Sequence, residues 1–388
     1  MKKKIIYINY TVLSEKLLND FYISNLINNG FVVEYWDISL LVFKKIQATP
    51  LLGAYIFEIH NYSKLEEKIA NEKSENTIYI IMNTYERRVV KLFKLLEKYS
   101  CHLAFFARGA LPNNSSDLKF PLSKILKVFN PKLLYYYLQN NYAAYLKISG
   151  RIKHFDLVFN AGNMGCQTIG QGSQVDIDNS EIINVNSFDF DSYRITSNCE
   201  NLIKGRYCLF LDEYLPFHPD FELLGIKTVE SEKYYNSLNK FFDKIENKFC
   251  IKVVIAAHPK ADKYKTSNFF YEREVYFDRT AMLTKYSEFT IAHCSTSVSF
   301  SVLNNKPIWF LYSNPIQLIM PNYFRFILNF SEVLSGLIVN IDNYELSNLY
   351  IPQINSNKYS NYKYNYLTSE SSENRNSSDI FLEVITNL

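Results

Sequence analysis

Three short polar clusters each stand at the end of an apolar run, and together they hold the residue types needed to move a proton and hold an anion. Asp212-Glu213 follows Tyr207-Cys208-Leu209-Phe210-Leu211, and His258-Pro259 follows Lys252-Val253-Val254-Ile255-Ala256-Ala257. Cys294-Ser295-Thr296-Ser297 closes the run over 288–293. A carboxylate so placed can accept a proton, and an imidazole can donate one near neutral pH or bind a phosphate. Adjacent hydroxyls ahead of a helix can join its free N–H groups in holding an oxyanion. In open α/β sheets ligands bind outside the carboxyl ends of the strands, so three such clusters imply one site.

Each cluster also has a plainer explanation. An isolated His-Pro is more often a turn, because the residue before proline favours extended geometry. His218-Pro219, beside Leu215-Pro216-Phe217, receives that structural reading. Ser295, Thr296 and Ser297 suit the N-cap of a helix through Val298, Phe300, Val302 and Leu303, a role compatible with phosphate binding. Asp212 and Glu213 alone could be a solvated loop pair. Asp189-Phe190-Asp191 spells a metal-holding DxD pattern but falls at the expected domain junction and is read as linker, so no metal site is assigned. No HExxH, P-loop or GxGxxG pattern occurs, and Gly162-Asn163-Met164-Gly165 is a loose glycine turn.

The elements that must carry these clusters alternate. Strand-like segments at 4–9, 31–36, 77–82, 103–106 and 155–159 are separated by helix-like segments at 14–29, 64–72, 86–98 and 132–145. The rhythm repeats with strands at 207–211, 251–257, 288–293 and 307–311 and helices at 231–247, 279–286 and 297–304. The expectation is an α/β protein with two Rossmann-like domains facing across a cleft, 1–195 and 196–345. Residues 346–388 are read as a surface segment rich in Asn, Ser, Lys and Tyr, ending in a short helix over 379–386 capped by Ser377 or Ser378. Lys358-Tyr359 and Lys363-Tyr364 interleave charge with aromatics as a weak peripheral membrane contact would.

The 388 residues suffice for two domains, and a composition 47% hydrophobic with 31 Tyr and 29 Phe excludes global disorder. Forty-two Lys and Arg against 39 Asp and Glu leave +3, too little to indicate a nucleic-acid partner, so a small molecule is expected. The start, Met1-Lys2-Lys3-Lys4 before Ile5-Ile6-Tyr7-Ile8, reads as a buried first strand rather than a signal peptide. No run approaches the roughly 20 apolar residues of a membrane span. Six cysteines without CxxC spacing suit reduced thiols in a cytoplasmic protein, at the inner face of the membrane if the contact above forms.

The order of acidic pair, HP and Ser cluster, here Leu211-Asp212-Glu213-Tyr214, Ala257-His258-Pro259-Lys260 and Cys294-Ser295-Thr296-Ser297, resembles bacterial sialyltransferases and related GT-B glycosyltransferases over roughly residues 207–312. The resemblance implies that Glu213 or Asp212 is the catalytic base and His258 the acid at the CMP leaving group. It also implies that Ser295 with Thr296 or Ser297 clamps the phosphate beside Pro259. Tyr214 departs from the pattern, standing where the family has Gly.

The activity implied is inverting, metal-independent transfer of an acidic sugar, a sialic acid-like nonulosonate or Kdo, from a CMP-sugar to a glycan or glycolipid hydroxyl in bacterial surface polysaccharide synthesis, with no cofactor besides the donor. One phosphate could be met by a protonated His, two hydroxyls and a helix N-terminus. The alternatives are a GT-B transferase with a UDP- or CDP-linked donor, including a polymer transferase of the glycerophosphate type, and a non-catalytic glycan-assembly protein. Asp278 is a candidate for ribose hydroxyls, although helix N-cap is its competing role. Among Asn9, Asn83, Arg108 and the Gly162 turn, Arg108 is preferred for an anionic acceptor because a guanidinium suits a carboxylate.

Overall fold

The computed structural model describes residues 3–43, 51, 53–72, 74–112, 131–196, 199–219, 221 and 226–388; Met1 and Lys2 of the expected first strand lie outside them. The chain divides into two compact units. One comprises Met1–Ala110, Ser116–Phe188 and Thr368–Leu388, the other Leu111–Ser115 and Asp189–Leu367. The boundary thus falls before Asp189 rather than at 195/196, and the last 43 residues are shared between the units rather than forming a segment of their own.

The first unit holds a wholly parallel sheet of β1 (Lys4–Asn9), β2 (Val32–Asp37), β3 (Ile56–Glu58), β4 (Thr77–Ile81), β5 (His102–Ala107), β6 (Leu157–Ala161) and β7 (Glu181–Val185), in the order β3-β2-β1-β4-β5-β6-β7. Helices cover both faces, so the central strands are apolar throughout instead of alternating with polar residues. Ile6 and Ile8 join Trp36, Tyr79 and Phe105 in one core, while Ile5 and Tyr7 join Tyr35, Ile80 and Phe106 in the other. This is the two-residue side-chain period of a strand with both faces buried.

The second unit repeats the device with β8 (Tyr207–Leu211), β9 (Lys252–Ala256), β10 (Val275–Tyr276), β11 (Thr290–Ala292), β12 (Ile308–Tyr312) and β13 (Leu337–Asn340), ordered β10-β9-β8-β11-β12-β13 and again parallel. Both sheets reverse their winding once, beside their first strand, between β1 and β4 and between β8 and β11. Such reversals leave an uncovered crevice at the carboxyl edge. The segment expected as one helix over 14–29 is broken into Glu15–Asp20 and Ile23–Asn28, with Tyr22 left-handed between them (φ 58°).

The C-terminal segment is not a surface excursion. Tyr359 and Tyr362 are buried in the second unit, and the Tyr359 hydroxyl donates to the Lys306 carbonyl at 2.7 Å. The expected membrane contact at 358–364 therefore loses its leading aromatic to the core. Thr368 and Ser377 are buried against Asn186, which accepts from the Thr368 hydroxyl at 2.6 Å and donates its N–H to Ser377 Oγ at 2.9 Å. Ser377 is accordingly the first residue of the helix Ser377–Asn387 rather than its side-chain cap. That helix seats Phe381 against Phe106 and Phe159, at 5.2 and 5.0 Å between ring centroids. Among the described residues no helix is long and apolar enough to cross a membrane.

A buried ion pair links the first unit's helix Pro131–Ile148 to the helix Ser173–Asn179. Lys147 Nζ lies 2.6 Å from Asp176, both side chains fully buried, and Asp176 also accepts the Phe155 N–H at 2.9 Å. Burial depresses the lysine pKa and raises that of the aspartate, and each opposes the shift of the other. Removing one member leaves an uncompensated buried charge. Asp176→Ala is expected to lower unfolding free energy by about 3–5 kcal/mol in urea titrations, and Lys147→Met/Asp176→Leu by much less.

Candidate active site

Register brings the three clusters together. Leu211 is paired with Ala256 of β9 on one side and with Ala292 of β11 on the other. Glu213, His258 and Cys294 each stand two residues beyond that aligned row, on three adjacent parallel strands that flank the winding reversal of this sheet.

Glu213 spans the reversal. One carboxylate oxygen accepts the Cys294 N–H at 2.7 Å, and the other accepts the Tyr323 hydroxyl at 2.7 Å, with Cys294 Sγ at 3.8 Å. Burial pushes its pKa up to about 7 against the opposing pull of the Tyr323 and Cys294 donors, and nearby Asp212 adds to the rise. Glu213 is only partly covered, whereas Asp212 is buried, and neither Asp212 carboxylate oxygen has a hydrogen-bond partner of good geometry. Burial lifts Asp212 to about 6, opposed by the polar groups around it, including the backbone of Tyr214 and His258 and the Tyr264 hydroxyl. An unmatched buried carboxylate costs stability whenever it is ionised.

Tyr214 sits at φ 55°, the left-handed region that favours glycine, and opens a 3₁₀ turn over Leu215–Phe217. A tyrosine there costs about 1–2 kcal/mol of backbone strain. Its buried ring offsets that cost against Tyr264 and Phe217, at 5.2 and 5.4 Å. The turn then carries His218 back, so that its ring meets His258 edge-on at 4.8 Å. His258 is partly exposed, its Nδ1 accepting the Lys260 N–H at 3.1 Å, and Pro259 is exposed beside it.

Ser295 is nearly buried and its hydroxyl oxygen accepts the Ser297 N–H at 3.2 Å, leaving the hydroxyl proton to be donated elsewhere; Thr296 is exposed and Ser297 half-buried. The helix is the short Val298–Leu303, and Ser297 does not cap it through its side chain. Behind the cluster His293 is buried, with Nδ1 2.7 Å from the Leu311 carbonyl and Nε2 2.8 Å from the Tyr234 hydroxyl. Burial lowers its pKa to about 4, so the ring is neutral at pH 7, donating to the carbonyl and accepting from the tyrosine.

Two expected residues fall elsewhere. Asp278 is exposed in a left-handed conformation (φ 54°), two positions before Thr280–Tyr286, and the cap position belongs to Arg279. Arg108 is buried in the first unit. Its guanidinium donates to the Asn186 carbonyl at 2.6 Å, the Asp20 carbonyl at 3.2 Å and the Tyr22 hydroxyl at 2.5 Å, and stacks on Phe188 at 4.1 Å. It clamps its own unit rather than presenting a free fork to an acceptor. Conversely, His218, read from the sequence as a turn residue, lies against His258, and Tyr323 and His293, which the sequence does not mark, belong to the site's surroundings. His218 carried a signal, the second HP dipeptide, whereas Tyr323 is one of 31 tyrosines with nothing to distinguish it.

No family model and no curated protein matches this chain. Among solved structures, a point variant of the wall teichoic acid polymerase TagF is similar at TM-score 0.51 and 11% identity, over 99% of this chain and 88% of that one. UDP-GlcNAc 2-epimerase from Methanocaldococcus jannaschii gives 0.49 at 12% identity, and Acinetobacter baumannii MurG gives 0.47 at 9%, each over 100% of both chains. With two parallel-stranded units in one chain, the fold is GT-B.

Because the folded pKa of Asp212 lies above the unfolded value, its contribution is present below about pH 4 and is lost as pH rises through about 6. Asp212→Asn is therefore expected to raise unfolding free energy at pH 8 by about 3 kcal/mol and to change it little at pH 4, as read by urea titration at both values.

Proposed function

We propose that this protein is a GT-B glycosyltransferase whose second unit holds a CMP-linked acidic sugar, a sialic acid-like nonulosonate or Kdo, and passes it with inversion to a glycan or glycolipid hydroxyl of a bacterial surface polysaccharide. The observation that carries the reading is the alignment of Glu213, His258 and Cys294 two residues past one register row, with the serines immediately following. A base, an acid and hydroxyl donors then face the same crevice.

Glu213 suits the base. A carboxyl with a pKa of about 7 is poised to accept a proton at neutral pH, and the Cys294 and Tyr323 donors fix its plane. His258 would protonate or hold the leaving phosphate, with Ser295, Thr296 and Ser297 supplying hydroxyl and N–H donors and exposed Pro259 shaping the turn. A single phosphate carries little enough charge for these groups to neutralise without a divalent ion. The likeness to wall teichoic acid polymerase favours a second reading, a transferase with a UDP- or CDP-linked donor, including a polymer transferase of the glycerophosphate type.

Calorimetric titration with CMP, CDP, UMP and UDP, without added metal, separates the two. Selective CMP binding that falls at least tenfold in His258→Ala supports the first reading. Preference for CDP or UDP supports the second, and no binding to any of the four overturns both. In the active enzyme Tyr323→Phe removes a donor to the ionised carboxylate. The Glu213 pKa then rises, and the acid limb of the kcat pH profile is expected to move upward by about one unit. An unmoved limb would take the base role from Glu213.

A further inference from the structure

The helix Pro131–Ile148 is built inside out. Past its first turn its one charged residue, Lys147, is fully buried, while Tyr135, Tyr137, Leu138, Tyr142, Tyr145 and Ile148 are each 47–68% exposed. Positions 135, 138, 142 and 145 follow one another at spacings of three and four, so they form a single stripe along the helix, with 137 and 148 at its sides. A surface helix of a soluble domain ordinarily turns its polar side outward, and an outward apolar stripe of this length marks an interaction surface.

Cations rim the stripe. The Arg87 guanidinium lies 3.9 Å from the Tyr136 ring, Lys94 Nζ 5.9 Å from Tyr142 and the Arg151 guanidinium 5.5 Å from Tyr145. Among the described residues none of the three has a carboxylate partner, whereas Lys98 on the same helix as Lys94 is paired with Glu66 at 2.5 Å. Tyrosines with an apolar body and a polar tip, flanked by cations that no described carboxylate neutralises, match the boundary between lipid headgroups and acyl chains. Cations near an anionic bilayer each add attraction that salt screens. A second copy of this chain would bring the same cations face to face.

We infer that the outward face of Pro131–Ile148 docks on an anionic lipid surface, with the tyrosines, Leu138 and Ile148 entering the interface and Arg87, Lys94 and Arg151 on headgroups. This surface lies in the first unit and is independent of which donor the second unit takes.

The test is cosedimentation of the full chain with phosphatidylcholine vesicles and with vesicles also containing phosphatidylglycerol. The chain is expected to bind the anionic vesicles and to be released by salt. Tyr135→Ser/Leu138→Ser/Tyr142→Ser and, separately, Arg87→Gln/Lys94→Gln/Arg151→Gln are each expected to lose at least tenfold in partitioning. The thermal midpoint by circular dichroism should be retained, because the substituted residues are exposed or lie at the rim. A chain that stays in the supernatant with anionic vesicles, or triple variants that partition like the parent, would overturn the inference. So would a parent that is dimeric by light scattering and becomes monomeric in the serine variant without binding vesicles, which would assign the face to a second copy.

Discussion

The hydrogen bond from the Cys294 N–H to Glu213 holds the site together, because it joins the ends of β8 and β11 where the winding of the sheet reverses and no connection covers the gap. The Cys294 N–H lies past Ala292, the last paired residue of β11, and a half-buried backbone donor there needs an acceptor of its own. Glu213 meets that need at 2.7 Å, and its other oxygen draws Tyr323 of the helix Pro321–Leu334 over the same edge. The brace also sets the chemistry. A carboxylate that is partly covered and held by two donors keeps a pKa near neutrality, where one in water would be fully ionised and weakly basic.

The turn after Glu213 shows how local strain and tertiary packing combine. Glycine would relieve the left-handed backbone at position 214 but would leave nothing to pack on Tyr264 and Phe217. Here the ring fills that space, and the strain directs the following residues so that His218 meets His258. The tyrosine therefore adopts a backbone conformation that glycine also favours. Its ring packs on Tyr264, whose hydroxyl acts on the buried Asp212, and burial makes that carboxylate resist ionisation.

The central strands and the three polar clusters were legible because a strand buried on both faces writes a continuous apolar run and its end a break in that run. The strands that escaped, Ile56–Glu58, Glu181–Val185, Val275–Tyr276 and Leu337–Asn340, are the four edges of the two sheets. Covered on fewer sides, an edge strand admits Glu and Asn and loses the pattern. The tyrosine hydroxyl that bonds Glu213 escaped for another reason. Tyr323 lies 110 positions away, and no local signal marks one tyrosine among many. Arg108 was misread because its residue type suits an anion equally well inside a fold, where backbone carbonyls need donors as much as a ligand does.

The two sheets solve the same problem in different ways, and the difference locates the chemistry. At the first reversal Asn9 and Asn83, both buried, bond to each other at 2.8 Å, and Asn83 also accepts the Tyr10 N–H at 3.2 Å. Neutral amides bonded to each other in this way do not titrate and carry no net charge. At the second reversal the same place holds a carboxylate of raised pKa, a second carboxylate without a good partner, and two imidazoles in contact. That arrangement stores free energy that a ligand with phosphate and hydroxyl groups could release, by supplying donors to the acids and an anion to the imidazoles. A crevice built only for stability would resemble the first, so the cost borne by the second is the physical reason for placing the proposed site there.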